Sequence, residues 1–414
     1  MYTRWLTIPA IFGVILTLLY VSSSFVVGVA EQKLYTTAIE FVYYGYGFFL
    51  SLWSMLFLVA WKRRAARLAL QWGTLRQQET AVNRPSFVGT LGYNTITDEV
   101  EVQYESKMKY QMKVLSSMAI LLVLILVAVG AVVLIFLLRS ALQEMKDSEG
   151  NPSLSTNEQL IVVGVVNFIQ IFVMDLLYRR IAVSLNNWEN HRTDREYKDN
   201  LTLKVFIFKF MNNYNGLFII AFIKPTLPAN SSEACLPKDT NCSDELQAQL
   251  GSIILCRFLV LNGLEVLKPL CKQWLKRWRL RRMHGSSKAG KAAHMQDRHK
   301  AQSQRELQPY TDMVVFHYYA EVVLQFGFVT LFSVVFPIAA TLAYISNIVS
   351  MKVGLYKILR LHRRPVPVSR ENIGYDTKRR DAMNLYIRRA FPAFEPTYAC
   401  YMCCVLCAVC GAAY

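Results

Sequence analysis

The sequence predicts an all-α, polytopic membrane protein of about eight transmembrane helices. Hydrophobic residues make up 53% of the 414 residues, which is more apolar surface than one soluble core buries. They occur in long blocks near the ~20 residues that a membrane-spanning helix needs, about twice the length of a barrel strand. The net charge of +17 comes largely from basic residues at the ends of these blocks, so it favours membrane orientation over a nucleic-acid partner.

Apolar runs in the first half of the chain predict four helices that cross the membrane. The first run, residues 5–28, is longer than the apolar core of a signal peptide, which is the alternative interpretation. The second run ends at Lys62, Arg63 and Arg64, which mark the cytosolic side. The predicted order is transmembrane helices 1 and 2 in residues 1–61, a cytosolic connection with turns in 62–113, transmembrane helices 3 and 4 in 114–182 and a cytosolic loop in 183–204.

The second half of the chain predicts four more helices and one large loop on the opposite side of the membrane. This loop carries the glycosylation acceptors Asn230 and Asn241, and a Cys235–Cys242 disulfide would fit the oxidising lumenal or extracellular space. A cytosolic N-terminus places the basic blocks and the acceptors on opposite sides, in the plasma membrane or the endoplasmic reticulum. The predicted order is transmembrane helices 5 and 6 in 205–270 with the glycosylatable loop in 225–249, a basic cytosolic loop in 271–310, transmembrane helices 7 and 8 in 311–360 and a cytosolic Cys-rich tail in 361–414.

Two of the cytosolic segments each admit more than one interpretation. The basic residues of 272–305 either orient the chain or bind anionic lipid headgroups. Cys400, Cys403, Cys404 and Cys407 share one helical face, which favours an interfacial segment open to S-palmitoylation over a metal-binding repeat. An altered C-terminus without a selected role is the remaining interpretation of the tail.

Polar side chains recur along one face of the fourth apolar run and cluster in the fifth. In the fourth run the spacing of i, i+3 and i+11 places them on one side of a helix. One interpretation is a face that lines a groove, and the other is hydrogen bonding between helices. The residues are Asn167, Gln170 and Tyr178 in the fourth run and Asn212, Asn213 and Asn215 in the fifth.

The seventh run contains a carboxylate, Glu321, and an amide, Gln325, one helical turn apart on the same face. A charge near the bilayer centre costs ~2.5–3.5 kcal/mol or more, so a charged residue here predicts a functional site. The sixth run likewise holds Asn262 and Glu265. No Ser/His/Asp, phosphate-loop or zinc pattern occurs in a suitable setting, so we do not expect an enzyme.

Several of these segments carry a resemblance to a known family. Gln325-Phe-Gly-Phe-Val-Thr-Leu-Phe332 is similar to a segment of the anoctamins, as are Trp61-Lys-Arg-Arg64, Arg84-Pro-Ser-Phe87 and Asn187-Trp-Glu-Asn-His-Arg-Thr193. These segments follow the family order within residues 40–375. The sequence is therefore identified as a member of the anoctamin family, shortened at both ends and most similar to the branch that contains anoctamin-10.

This resemblance implies a protein that scrambles phospholipids between leaflets, conducts chloride, or does both. It places the pathway in a groove formed by helices 4–7, with Gln325 and the polar residues of helices 4 and 5 lining it. Its implied partners are membrane lipids, chloride or other small ions and a second copy in a homodimer, although the family's last spans, which help to form the dimer, are missing here. A non-transporting membrane organiser or lipid-binding tether is the alternative function.

The resemblance also implies calcium activation through acidic residues of helices 6, 7 and 8. Glu265 and Glu321 match two of these positions, and Asn262 lies one position from an expected amide. Calcium takes ~6–8 oxygen ligands, so the sequence predicts a weak or lost site. Glu321 would then be neutral, or would pair with Lys352 or Arg257. The other three acidic positions are occupied by Tyr318, Ser350 and Gly354.

Overall fold

The computed structural model describes residues 1–26, 32–74, 83–94, 98–144, 156–226, 242–283, 307 and 312–363. Eight long helices account for most of these residues, which confirms the predicted all-α, polytopic fold. The helices are α1 (Tyr2–Val26), α2 (Gln32–Gln71), α3 (Lys107–Glu144), α4 (Thr156–Trp188), α5 (Asp194–Phe218), α6 (Ser243–Met283), α7 (Asp312–Phe332) and α8 (Ile338–Tyr356).

Over the residues that the structure describes, seven helices, α1–α5, α7 and α8, are long and apolar enough to cross a membrane. Helix α6 is the longest, with 41 residues. At a rise of ~1.5 Å per residue it is about twice as long as the ~30 Å hydrocarbon core of a bilayer. Its apolar first half is followed by a basic second half.

Short irregular turns extend two of the helices. A π-helical turn, Ile219–Ile223, and a 3₁₀ turn, Lys224–Thr226, follow α5 directly. Another π-helical turn, Lys357–Leu361, follows α8. Such turns shift side chains around the helix axis. A buried lysine, Lys224, directly follows the first π-helical turn, and another, Lys357, begins the second.

The described residues divide into two compact units. Unit 1 combines Met1–Ile39, Ile253–Val329 and the segment that begins at Phe336, whereas unit 2 combines Glu40–Ser252 and Thr330–Val335. In unit 1, α1 packs against α8, and the Thr341 hydroxyl donates a hydrogen bond of 2.9 Å to the Ala10 carbonyl. In unit 2, α3, α4 and α5 pack against one another.

A small β-hairpin follows α2 in unit 2, and the sequence analysis did not predict it. Strand β1 (Thr90–Asn94) pairs antiparallel with β2 (Glu99–Gln103), with Gly92 opposite Glu101. Asp98 adopts a positive φ of 55° at the start of β2, which an aspartate tolerates better than most residues. Alternation of valine with polar residues in Val100–Gln103 was the available signal for a strand.

The hairpin is anchored to the segment between α4 and α5. The Arg192 guanidinium donates to Glu101 at 2.6 Å and to Asn83 at 2.7 Å. Arg84 pairs with Asp194 at 2.8 Å and also lies over the Tyr197 ring. These contacts connect the hairpin and the residues before it to the start of α5, where the Thr193 side chain caps the helix.

Helices α4 and α6 approach closely at Gly164. A Cβ atom at Gly164 would lie 2.4 Å from the Ser252 Oγ atom and 2.6 Å from its Cβ atom. The Ser252 hydroxyl is held in place by a 2.7 Å hydrogen bond to the Ala248 carbonyl. This contact therefore requires glycine.

We expect Gly164→Ala to destabilise the protein by about 1–3 kcal/mol, because the added methyl group overpacks the contact with Ser252. Thermal unfolding in detergent measures the effect. Gly130→Ala in α3 is the matched control, since no atom lies within 4 Å of a Cβ atom there. Equal unfolding temperatures for the two variants would show that α4 and α6 are not in contact at Gly164.

Candidate functional site

A polar seam joins α4 to α5 inside unit 2. Gln170 donates from Nε2 to the Asn212 Oδ1 atom at 3.3 Å. Asn212 in turn donates to the Ile171 carbonyl at 3.0 Å and to Asp175 at 3.1 Å. Lys209 lies 3.7 Å from the other carboxylate oxygen of Asp175. The structure thus brings together Gln170 and Asn212, one polar residue from each of the two runs.

The other predicted polar residues of α4 and α5 lie along the same pair of helices. The Tyr178 ring stacks on Phe208 with centroids 4.0 Å apart, and its hydroxyl donates to the Lys204 carbonyl at 3.2 Å. Asn213 donates back to the Lys209 carbonyl of its own helix at 2.6 Å. Both polar positions are therefore satisfied within the helix pair.

Asn167 and Asn215 differ from these residues because polar atoms of both remain unpaired. Asn167 is 1% exposed, and a Cβ atom at Gly216 would lie 3.2 Å from its Nδ2 atom. Within the described part of the chain, neither polar atom of the Asn167 amide has a hydrogen-bond partner, and the same holds for Asn215 Nδ2 and Gln170 Oε1. Buried amides normally find a partner, so these atoms are suited to contact water or a polar guest.

A charged cluster that the sequence analysis missed is buried where α3 and α6 meet the end of the α5 segment. Glu245 accepts hydrogen bonds from Arg139 and, at 2.6 Å, from Lys224. The Lys224 ammonium also lies 4.4 Å from the centroid of the Phe136 ring. Within the described contacts, two cations therefore pair with one carboxylate. The available signal was the occurrence of charged residues at the ends of apolar runs.

A second missed cluster lies between the end of α4 and the first half of α5. Glu189 pairs with Lys204 and lies 2.9 Å from His191 Nε2, and all three side chains are fully buried. Asn200 donates to His191 Nδ1 at 3.3 Å, so the imidazole proton lies on Nε2 and points to Glu189. Burial alone would raise the pKa of Glu189, but the hydrogen bonds from His191 and Lys204 outweigh it and hold this pKa below its ordinary value.

In unit 1, Glu321 of α7 is paired with Arg257 of α6. The Arg257 guanidinium donates to the Glu321 carboxylate, and His317 Nδ1 lies 4.0 Å from the second carboxylate oxygen. Of the two basic partners considered from the sequence, the structure pairs Glu321 with Arg257, while Lys352 is exposed. Gln325 donates to the Ala343 carbonyl of α8 at 3.0 Å, so the two polar residues of α7 contact different helices.

Among the described side chains of unit 1, the groups around Glu321 do not fit a calcium ion, because they include cations of the protein itself. Tyr318 faces α8, where the Lys357 ammonium lies 4.9 Å from the centroid of its ring. A Cβ atom at Gly354 would lie 3.7 Å from the Tyr318 hydroxyl. No group of three or more His, Cys, Asp or Glu side chains suited to a metal occurs among the residues described. The side chains of Asn262 and Glu265 lie outside this set.

The predicted modifications fall mostly outside the described residues. Asn230, Asn241 and Cys235 belong to the range 227–241, about which the structure says nothing. Cys242 is disulfide-bonded, whereas Cys256 and Cys271 are free. The Cys235–Cys242 pairing and both glycosylation sites therefore stay predictions.

The fold and these contacts define a class of protein. Seven helices are suited to cross a membrane, and polar or charged side chains are buried between neighbouring helices. This combination is typical of multi-pass membrane proteins that move or bind polar solutes. A family model described as "Anoctamin: Calcium-activated chloride channel" matches residues 1–379, so the chain belongs to the anoctamin family.

Individual relatives agree with this assignment. Anoctamin-7 from Homo sapiens is 32% identical over 349 residues, which cover 80% of this chain and 36% of the relative. Anoctamin-5 from Mus musculus is 29% identical over 358 residues, covering 80% and 38% of the two chains. Anoctamin-4 from Mus musculus is 28% identical over 345 residues, covering 79% and 35%. The similarity to the anoctamin-10 branch stays a prediction.

The chain spans little more than a third of the length of these relatives. Family membership and the apolar helices establish a multi-pass membrane protein of the plasma membrane or the endoplasmic reticulum, in a family of channels and scramblases.

The cluster around Glu189 predicts a loss of stability in acid. The pKa of Glu189 is lower in the folded protein than in the unfolded chain. Its contribution to the free energy of unfolding is therefore complete above the ordinary carboxyl pKa of about 4.3, and it is lost as the pH falls through the folded-state pKa. We expect the unfolding temperature of the wild-type protein to fall more steeply below pH 5 than that of Glu189→Gln. Thermal unfolding in detergent at a series of pH values measures this difference.

The matched control for this prediction is Glu105→Gln. Glu105 forms an exposed pair with Lys109 in which both side chains are more than 60% exposed, so its removal should leave the pH profile unchanged. Superimposable profiles for wild type and Glu189→Gln would contradict the role assigned to the buried carboxylate.

Proposed function

We propose that this chain transports phospholipid headgroups, chloride or both along the polar faces of α4 and α5, as a transporter rather than an enzyme. The observation that supports this function best is the set of buried amide atoms on α4 and α5 that lack a partner in the described residues, at Asn167, Gln170 and Asn215. An unpaired polar atom between transmembrane helices is costly, so its retention favours a site that meets a polar guest.

The charge of the neighbouring cluster supports an anionic guest. Arg139 and Lys224 outnumber Glu245, so the surroundings favour chloride or a phosphate-bearing headgroup over a cation. Glu245 and Gln249 are one helical turn apart on α6, and a Cβ atom at Gly216 would lie 3.8 Å from Gln249 Nε2. Asn167 Nδ2 lies near the same glycine, at 3.2 Å from the Cβ position, so the charged cluster lies close to the unpaired amides.

A non-transporting membrane organiser or lipid-binding tether is the second candidate. The observation that favours it is the pairing of Gln170 with Asn212, together with the bonds from Asn212 to Ile171 and Asp175. Gln170 and Asn212 would then serve only to join α4 to α5, because hydrogen bonds between amides hold transmembrane helices together.

Reconstitution into liposomes distinguishes the two candidates. Bleaching of a labelled phospholipid in the outer leaflet reports scrambling, and a chloride electrode reports anion efflux. Transport predicts that one or both rates exceed those of protein-free liposomes. If purified, folded protein produces neither flux with or without calcium, the transport function is wrong and the tether becomes the better interpretation.

We expect the double variant Asn167→Leu, Gln170→Leu to slow transport while the protein still folds. A lost hydrogen bond to the moving guest is worth about 1 kcal/mol, which corresponds to about fivefold in rate. The measurement is the initial rate of lipid flip and of chloride efflux, normalised to the amount of protein in the liposomes.

Ile169→Leu is the matched control for this double variant. Ile169 lies on the same helix between the two amides, but its side chain is exposed on another face. Its transport rate should equal that of the wild-type protein. An unchanged rate in the double variant would show that Asn167 and Gln170 act only in helix packing.

A further inference from the structure

The carboxylate of Glu321 lies within a membrane-spanning helix and meets a cation of the protein itself. Arg257 reaches it from α6, and the two side chains are 13% and 23% exposed. Phe328 lies two helical turns after Glu321 on α7, and the Arg257 guanidinium is 5.8 Å from the centroid of its ring. The guanidinium is therefore held by both an ion pair and an aromatic ring, and it joins α6 to α7.

A second cation joins α7 to the segment after α8. Lys357 is 8% exposed, and its ammonium lies over the ring of Tyr318, which is one helical turn before Glu321. Gly354 of α8 lies opposite Tyr318, since a Cβ atom there would be 3.7 Å from the Tyr318 hydroxyl. Two fixed positive charges, from Arg257 and Lys357, thus face the same stretch of α7.

The charge balance of this region differs from that of a calcium site. An ionised carboxylate between membrane helices requires a positive charge, which either a bound ion or a side chain supplies. The forked guanidinium suits a carboxylate and remains charged at all physiological pH values. A calcium ion at Glu321 would have to displace Arg257 and would also be repelled by Lys357.

We propose that Arg257 is a built-in cation for Glu321, so that α6 and α7 stay joined without calcium. Arg257 then acts as a positioning residue, since it holds Glu321 and the helix that carries it. Calcium activation, which the description of the family model names, is replaced in this chain by a permanent ion pair. This inference concerns the regulation of the proposed transport and depends on that function only for its flux measurement.

The test compares four proteins in detergent: wild type, Arg257→Lys, Arg257→Met and the double variant Arg257→Met, Glu321→Met. Thermal unfolding is measured in the presence of a calcium chelator, in 1 mM calcium and in 1 mM magnesium. Calcium binding to each protein is measured by titration calorimetry. The methionine variants retain an unbranched side chain of similar shape, and the lysine variant retains the charge.

The proposal predicts a distinct pattern for each protein. The unfolding temperature of the wild-type protein is the same with calcium and with chelator. Arg257→Met unfolds about 5 °C lower than the wild-type protein, with calcium or with chelator, because Glu321 loses its partner. Arg257→Lys keeps most of the wild-type stability, and the double variant recovers stability without any response to calcium.

Two results would overturn the proposal. The first is calcium stabilisation of the wild-type protein with heat of binding in the titration. The second is equal stability of Arg257→Met and wild type in chelator.

The charge-reversed pair Arg257→Glu, Glu321→Arg covers the case in which Arg257→Met fails to fold. Recovery of folding in this double variant supports the ion pair, and failure to fold overturns it, provided that Arg257→Lys folds. Flux in liposomes with and without calcium is measured separately. If the stability pattern is as predicted but no flux is seen, the transport function alone is contradicted. If the flux of the wild-type protein depends on calcium, the role of Arg257 as a built-in cation alone is contradicted.

Discussion

A charge between membrane-spanning helices must meet an opposite charge, and this requirement shapes both units of the structure. Glu245 lies between Arg139 and Lys224 in unit 2, and Glu321 lies beside Arg257 in unit 1. Removal of water makes each unpaired charge costly, while a close partner with good hydrogen-bond geometry offsets that cost. These pairs therefore determine which helices adjoin one another, because each pair joins residues far apart in the sequence.

Buried amide side chains also need hydrogen-bond partners, but less strictly than buried charges do. Gln170 donates to Asn212, whereas Gln170 Oε1 and both polar atoms of the Asn167 amide have no partner among the described residues. A neutral unpaired amide costs less than an unpaired charge, so a membrane protein retains it where water, an ion or a headgroup comes into contact. The same pair of helices thus combines structural hydrogen bonds with free polar atoms.

Family membership and local chemistry give different information about regulation. The family model names calcium activation and chloride conduction, and the chain matches that model over residues 1–379. At Glu321, however, an arginine lies where an added cation would bind. Family membership therefore carries over to this chain for the fold, while a calcium trigger depends on individual side chains.

The sequence by itself determined the membrane class, the helical fold and the family, because long apolar runs and local motifs are properties of contiguous residues. It also indicated that Gln170 and Asn212 occupy polar helix faces. Only the tertiary structure chose Arg257 over Lys352 as the partner of Glu321, and only it revealed the cluster around Glu245. These contacts join residues from separate helices, and sequence spacing cannot fix which faces of distant helices meet.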